Sequence, residues 1–261
     1  MEQFFPIFRR TIIALTITFI IVVQPSVSNA QPSINEALTT NQRLALEGII
    51  RNFILKNPEI VSEALLQLRE NERMAKAKAE KNVLVSNHTA IYSDPSSPVG
   101  GNPNGDVSVI EFFDYGCGVC KRIHPIVEEL IKTDRGIRRI YKEWPILGPD
   151  SVRAARAAIA SRQQNKYSEF HNVLMTEISG LSESAIMAKA KSVGINTRQL
   201  KREMNNPKID KIIRQNYTVA EKLKLNGTPA FVIGDKVIRG GLNLESLRAI
   251  VKEVRANNKG K

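Results

Sequence analysis

The sequence predicts an α/β domain that carries a helical insertion and is preceded by an N-terminal helical segment. Three observations carry that expectation. A β-branched apolar run, "VSVIEFFDY" from Val107, feeds a helical pattern and then a second strand pattern, "RRIYKEW". The signal is helical from Asp150 to about Leu225, after which two short strand patterns return with a last helix behind them. Ahead of the first strand, leucine and isoleucine recur at helical spacing from about Thr40.

Taken in order, the first element is an address. Arg9 and Arg10 precede the apolar run "TIIALTITFIIVV", Thr11 to Val23. That run is short of the about 20 residues that a bilayer-spanning helix needs. Ser28 and Ala30 fit an A-x-A-like cleavage site, so residues 1–30 are expected to be a signal peptide. No cysteine near the site offers a lipid attachment point. Cleavage removes two arginines and one glutamate, which lowers the formal charge of +12 by one, to +11.

Residues 31–83 are expected to form a helical oligomerisation segment and linker. Leu44, Leu46, Ile49, Ile50, Phe53 and Ile54 share a helical stripe. Asn57 is expected to cap a second helix that starts at Pro58 and carries Ile60, Val61, Leu65, Leu66 and Leu68. The stripe is broad for an isolated arm and should pack on the following domain or on copies of itself. The charged, alanine-rich stretch "RENERMAKAKAEKN" then reads as a solvated helix or semi-rigid linker.

Residues 84–261 are expected to be the α/β domain, with its insertion at about 149–225. Ser93 to Asp106, dense in Pro, Gly, Ser and Asn, reads as a loop. "KRIHPIVEELIK" is helical, with Pro125 predicting a kink. Gly194 suits a C-cap inside the insertion. "PAFVI" and "KVIRG" are joined by a Gly234-Asp235 turn, and a helix from about Leu244 to Ala256 is capped by Asn243.

Composition excludes some classes. Hydrophobic residues make up 42% and charged residues 25% of the 261, as in ordinary globular chains. Basic residues are spread along the chain, mixed with acids and never interleaved with aromatics, so no nucleic-acid partner is expected.

The chemistry concentrates in two cysteines, Cys117 and Cys120, set three apart where a strand feeds a helix. Unpaired N–H groups and the positive dipole at a helix start stabilise a thiolate there and lower its pKa. Cys117 is then nucleophile and leaving group, and Cys120 comes round on the first turn to close a disulfide. A loop that short constrains the unfolded chain little, so the pair is a poor staple. A structural zinc site wants four ligands, and the other candidates are only His88, His124 and His171, without paired spacing. A soft ion such as Cu(I) on the two thiolates is the alternative to reversible redox chemistry.

The residues "EFFDYGCGVCKR" resemble the DsbA family of thiol–disulfide oxidoreductases in the thioredoxin superfamily. "GTPAF", Gly227 to Phe231, is similar to that family's second signature, a Thr before a cis-proline. Between Cys120 and Pro229 lie enough residues for the helical insertion of that family. "KEWPILGPDS" and "IIRNFILKNPEIVSEAL" resemble members of the Com and ScsC type, the latter their N-terminal oligomerisation segment.

The resemblance implies a thioredoxin fold, Cys117 as nucleophile and Cys120 as resolving cysteine, with no cofactor beyond that redox-active disulfide and no metal. It implies Glu111 as a buried acid handling the proton of the inner thiol, with Lys142 as its expected partner. Pro229, cis, would sit against the disulfide, and Thr228 would offer backbone hydrogen bonds to an extended substrate. His124 is expected to be structural. The implied partners are cysteine-containing exported proteins, a membrane redox partner of the DsbB or DsbD kind, and further copies of the chain, a trimer ahead of a dimer. The implied location is the periplasm. One departure stands out. Gly118-Val119 replaces the Pro-His dipeptide of DsbA, so Cys117 should be less acidic and the disulfide less oxidising. The competing reading is a thioredoxin-like module that holds a soft metal or a partner without turnover.

Overall fold

The computed structural model describes residues 38–176 and 180–259, so the expected signal peptide lies outside the described residues. The chain divides into two compact units, one ending at Leu65 and one running from Leu66.

In the first unit, α1 (Thr40–Lys56) opens on a capping box. The Thr39 hydroxyl accepts from the Gln42 N–H, and the Gln42 side chain accepts from the Thr39 N–H. Asn57 does not cap the next helix. Its amide donates to the Phe53 carbonyl at 2.7 Å, which also accepts from the Asn57 N–H at 3.0 Å. Helix α2 then begins at Glu59 and runs to Ser86. Leu44, Ile49, Phe53 and Leu55 are each more than half exposed, so α1 carries a wide uncovered apolar surface.

In the second unit, Leu84 of α2 is buried beside Ile91 of the short helix α3 (His88–Tyr92). The sheet has β1 (Val99–Gly101), β2 (Val107–Phe113), β3 (Ile137–Glu143), β4 (Ala230–Ile233) and β5 (Lys236–Arg239) in the order β1-β3-β2-β4-β5. β2 and β3 pair in parallel, and the other three pairings are antiparallel. β1 falls inside the stretch expected to be a loop. "VGG" has no alternation to read, and only pairing with β3, Val99 opposite Ile140, makes it a strand.

β2 and β3 are covered on both faces, which explains the nearly continuous apolar run of β2 and leaves the charged residues of β3 buried. Ile110 and Phe112 face a cluster with Trp144, Val219 and Leu223, while Val107 and Val109 face Val127 and Leu130 of α4 (Gly118–Thr133) and Leu247 and Val251 of α10 (Leu244–Lys259). Helix α4 continues through Pro125. The helices α5 (Pro149–Ser161), α6 (Tyr167–Met175), α7 (Glu183–Ser192), α8 (Thr197–Glu203) and α9 (Pro207–Lys222) lie between β3 and β4 in the chain. They share a core with Phe113, Tyr115 and both cysteines. Gly234, at φ +60°, makes the β4–β5 turn, where a Cβ would lie 2.7 Å from Val254. The Asn243 side chain accepts from the Ser246 N–H and caps α10.

Candidate functional site

The strand-to-helix junction places Cys117 at the N-cap of α4, so its sulfur takes the role that a capping oxygen usually fills. The Cys120 N–H donates to it at 3.3 Å, and its own thiol donates to the Thr228 carbonyl at 3.3 Å. Both cysteines are free and buried. The Thr228–Pro229 bond is cis, as expected. Thr228 and Cys117, 111 positions apart in the chain, are thus brought into contact.

A hydrogen bond from the Cys120 thiol holds Cys117 at about 5 against the opposing effect of burial. The Thr228 side chain and the N–H groups of Cys120 and Val119 add to this stabilisation. The same bond, together with burial, pushes the Cys120 thiol far above its usual range. One sulfur is thus a ready thiolate at neutral pH and the other keeps its proton.

The loop before Cys117 is held from several sides. Asp114 Oδ1 accepts from the Gly116 N–H at 2.6 Å and Oδ2 from the Leu147 N–H at 2.9 Å. The Cys117 N–H donates to the Asp114 carbonyl at 3.0 Å. A Cβ on Gly116 would lie 2.7 Å from Ser151 Oγ, so the loop passes close against α5.

Glu111 is buried, as expected, but its partner is not Lys142. Arg139 Nη2 donates to Glu111 Oε2 at 2.7 Å, and Arg139 Nη1 to Glu128 at 2.5 Å. Strand alternation gives the reason: Lys142 stands opposite Phe112, one step out of phase with Glu111, and so projects from the other face of the sheet. There Lys142 donates to the Ala90 carbonyl and Ser97 Oγ, both at 2.7 Å, with Asp94 at 3.4 Å. Burial lowers its pKa while Asp94 opposes the shift.

On the Glu111 face, His124 is buried, and burial with the Arg139 charge holds it at about 4. It is neutral at ordinary pH, in keeping with a structural place. Its ring lies 5.2 Å from that of His171 on α6. The His171 Nδ1 meets Tyr115 Oη at 2.9 Å, and Tyr115 and Tyr167 both donate to Glu143 Oε1, at 3.1 and 2.7 Å. Burial pushes Glu143 up to about 8, although the two hydroxyls oppose it.

Sequence reasoning did not single out Arg139, Tyr115, His171 or Glu143. The available signal was the placing of charged residues inside a strand, "RRIYKE", whose neighbours are apolar. Charges within a covered strand need buried partners. Among the described residues, no group of three or more His, Cys, Asp or Glu side chains is placed to hold a metal ion, and no helix is long and apolar enough to cross a membrane.

A family model described as thioredoxin matches residues 93–253. A thioredoxin-like oxidoreductase from Silicibacter pomeroyi is 43% identical, covering 65% of this chain and 98% of that one, with a TM-score of 0.64. The thiol-disulfide exchange protein alpha-DsbA2 from Wolbachia pipientis is 30% identical, covering 69% and 98%, with a TM-score of 0.66. A Proteus mirabilis ScsC variant with a linker deletion is 28% identical, covering 85% and 98%, with a TM-score of 0.65. Among curated proteins, the Na(+)/H(+) antiporter NhaA 3 of Salinispora tropica is 25% identical over 155 residues, 59% of this chain. The match spans only 24% of that antiporter's length.

Proposed function

Because the chain belongs to the thioredoxin superfamily, in its DsbA/ScsC branch, we propose that it is an exported, periplasmic thiol–disulfide oxidoreductase that forms or isomerises disulfides in other exported proteins. The observation that carries this reading is the asymmetry of the pair: a Cys117 sulfur held at about 5 at a helix N-cap, against a buried Cys120 that keeps its proton.

In the oxidising direction a substrate thiolate attacks Sγ of Cys117 in the disulfide form. The Cys117–Cys120 bond breaks, and its electron pair leaves on Cys120, which takes a proton. A second substrate thiolate then attacks the substrate sulfur of the mixed disulfide and releases Cys117 as a thiolate. Two electrons pass from the substrate dithiol to the pair, with one proton on Cys120 and one in solvent. Isomerisation starts instead with the Cys117 thiolate attacking a wrong substrate disulfide.

In this reading Glu111, paired with Arg139, is the buried carboxylate that handles the Cys120 proton. Thr228 and Pro229 form the loop on which an extended substrate segment lies. The uncovered stripe of α1 and the start of α2 supports assembly of residues 31–83 with copies of the chain, a trimer ahead of a dimer. A membrane redox partner of the DsbB or DsbD kind resets the pair. The Silicibacter and Wolbachia neighbours, described as an oxidoreductase and a thiol-disulfide exchange protein, support the reaction class.

The test is disulfide exchange on reduced and on scrambled protein substrates, comparing the native chain with Cys117→Ser. Loss of both activities in the variant is expected, and unchanged exchange removes the reading.

A further inference from the structure

Among the points where the helical insertion meets the cysteine loop is the buried hydroxyl of Tyr115, two residues before Cys117. Tyr115 is fully buried, and its ring contacts Phe113 and His171 edge-on, at 5.3 and 5.6 Å between centroids. Its oxygen lies between His171 Nδ1 at 2.9 Å and Glu143 Oε1 at 3.1 Å. Arg139 Nη2 stands 3.5 Å from His171 Nε2.

One proton arrangement satisfies this set. Arg139 can only donate, so Nε2 is bare and Nδ1 carries the hydrogen. His171 then donates to Tyr115 Oη, and Tyr115 donates to Glu143. Burial, with the charge of Arg139, keeps His171 neutral, in agreement with a single N–H. Glu143 also accepts from Tyr167, and its backbone carbonyl accepts from Asn216 at 3.0 Å. A directional chain therefore runs from β3 through α6 to the residue that leads into Cys117, and back to the end of β3.

We propose that Tyr115 is a positioning residue for Cys117, and that the insertion tunes the thiol pair by holding the Tyr115 hydroxyl between His171 and Glu143. The stabilisation of the Cys117 thiolate depends on hydrogen bonds from the Cys120 thiol, the Thr228 side chain and the N–H groups of Cys120 and Val119. These contacts require the segment from Asp114 to Cys117 to stay in one place. Asp114 holds that segment through backbone N–H groups of Gly116 and Leu147. Tyr115 holds it from beneath. Removing its hydroxyl leaves the His171 N–H and one Glu143 acceptor site short of a buried partner, so the surrounding groups rearrange. The chain asks for an acceptor at residue 143 and not for a charge, which fits a carboxyl that keeps its proton at neutral pH.

This proposal rests on Cys117 being the reactive thiol, and its test separates the two claims. The rate of Cys117 alkylation by iodoacetamide is measured against pH on the full reduced chain, with mass spectrometry to locate the label. In Tyr115→Phe the midpoint of the titration rises by about half a unit, so alkylation below the midpoint slows about threefold. Glu143→Leu moves the midpoint the same way, whereas Glu143→Gln, which keeps an acceptor oxygen, retains the native midpoint. A merely structural Tyr115 would lower the melting temperature and leave the titration in place, and that result overturns the proposal. So does a midpoint in Glu143→Gln that moves with Glu143→Leu. A native midpoint in the ordinary thiol range overturns instead the reading of Cys117 itself.

Discussion

Arg139 Nη2 lies 2.7 Å from Glu111 Oε2, and both side chains are buried. The two residues come from neighbouring parallel strands and share one face of the sheet, on which Tyr141 stands directly opposite Glu111. Burial disfavours the Arg139 charge, but Tyr141, Glu111 and Glu128 outweigh it and raise its pKa. Arg139→Met leaves Glu111 without its cation inside the protein. Removing one partner of a buried pair costs about 3–5 kcal/mol, and urea unfolding should read that loss. Adding Glu111→Gln to the same chain should restore part of it. A loss in the double variant equal to the sum of the losses in Arg139→Met and Glu111→Gln alone would show that the two residues are not coupled.

The asymmetric thiols make the stability of the reduced form depend on pH, with a sign that can be worked out. Cys117 is depressed to about 5, so its contribution is fully present above the unfolded thiol value of about 8.5 and is lost as pH falls through 5. Cys120 is raised, so above about 8.5 the unfolded chain gives up a proton that the folded chain keeps, and stability falls. The melting temperature of the reduced form minus that of the oxidised form should therefore climb from pH 5 to about 8.5 and decline beyond it. Other titrating groups, Glu143 among them, are common to both forms and drop out of the difference. A difference that is flat with pH contradicts the assignment.

Cys117 at about 5 lies between the about 3.5 of DsbA and the about 7 of thioredoxin. The reduction potential should accordingly fall between about −120 and −270 mV, and equilibration with glutathione measures it. A potential as oxidising as that of DsbA removes the expectation of a milder oxidant. Val119→His places an imidazole between the cysteines. It should make the pair more oxidising by about 30 mV for each unit by which it lowers Cys117.

Ile49 and Phe53 are both more than half exposed on α1. If the stripe holds copies of the chain together, Ile49→Lys with Phe53→Lys should convert the oligomer to a monomer in light scattering. Alkylation of Cys117 should be unchanged, because the cysteine loop belongs to the other compact unit. A native chain that is already monomeric removes the assembly.

The elements of the α/β domain that carry the cysteines were legible because their patterns are local. The β-branched run of β2, the hairpin at Gly234 and the Asn243 cap each announce themselves within a few residues. β1 was not legible, since three residues with two glycines become a strand only when β3 lies beside them. The Asn57 side chain has two helix ends within reach, and it turns back to the Phe53 carbonyl at the end of α1, which its own N–H also reaches.

The sequence by itself determined the thioredoxin fold with its insertion, the cysteine pair at a helix start and the cis bond before Pro229. The cysteine pair at a helix start is written in adjacent residues, where short-range hydrogen bonding suffices to specify it, whereas the thioredoxin fold and the cis bond were implied by the resemblance of separate motifs to the DsbA family. Only the tertiary structure decided which cation neutralises Glu111 and what braces the cysteine loop. Those answers depend on strand register and on which helix of the insertion covers the sheet. Lys142 and Arg139 lie three positions apart in the chain, yet strand alternation sends them to opposite faces. His171 meets Tyr115 across 56 residues because α6 packs there. Spacing in the chain carries no record of such meetings.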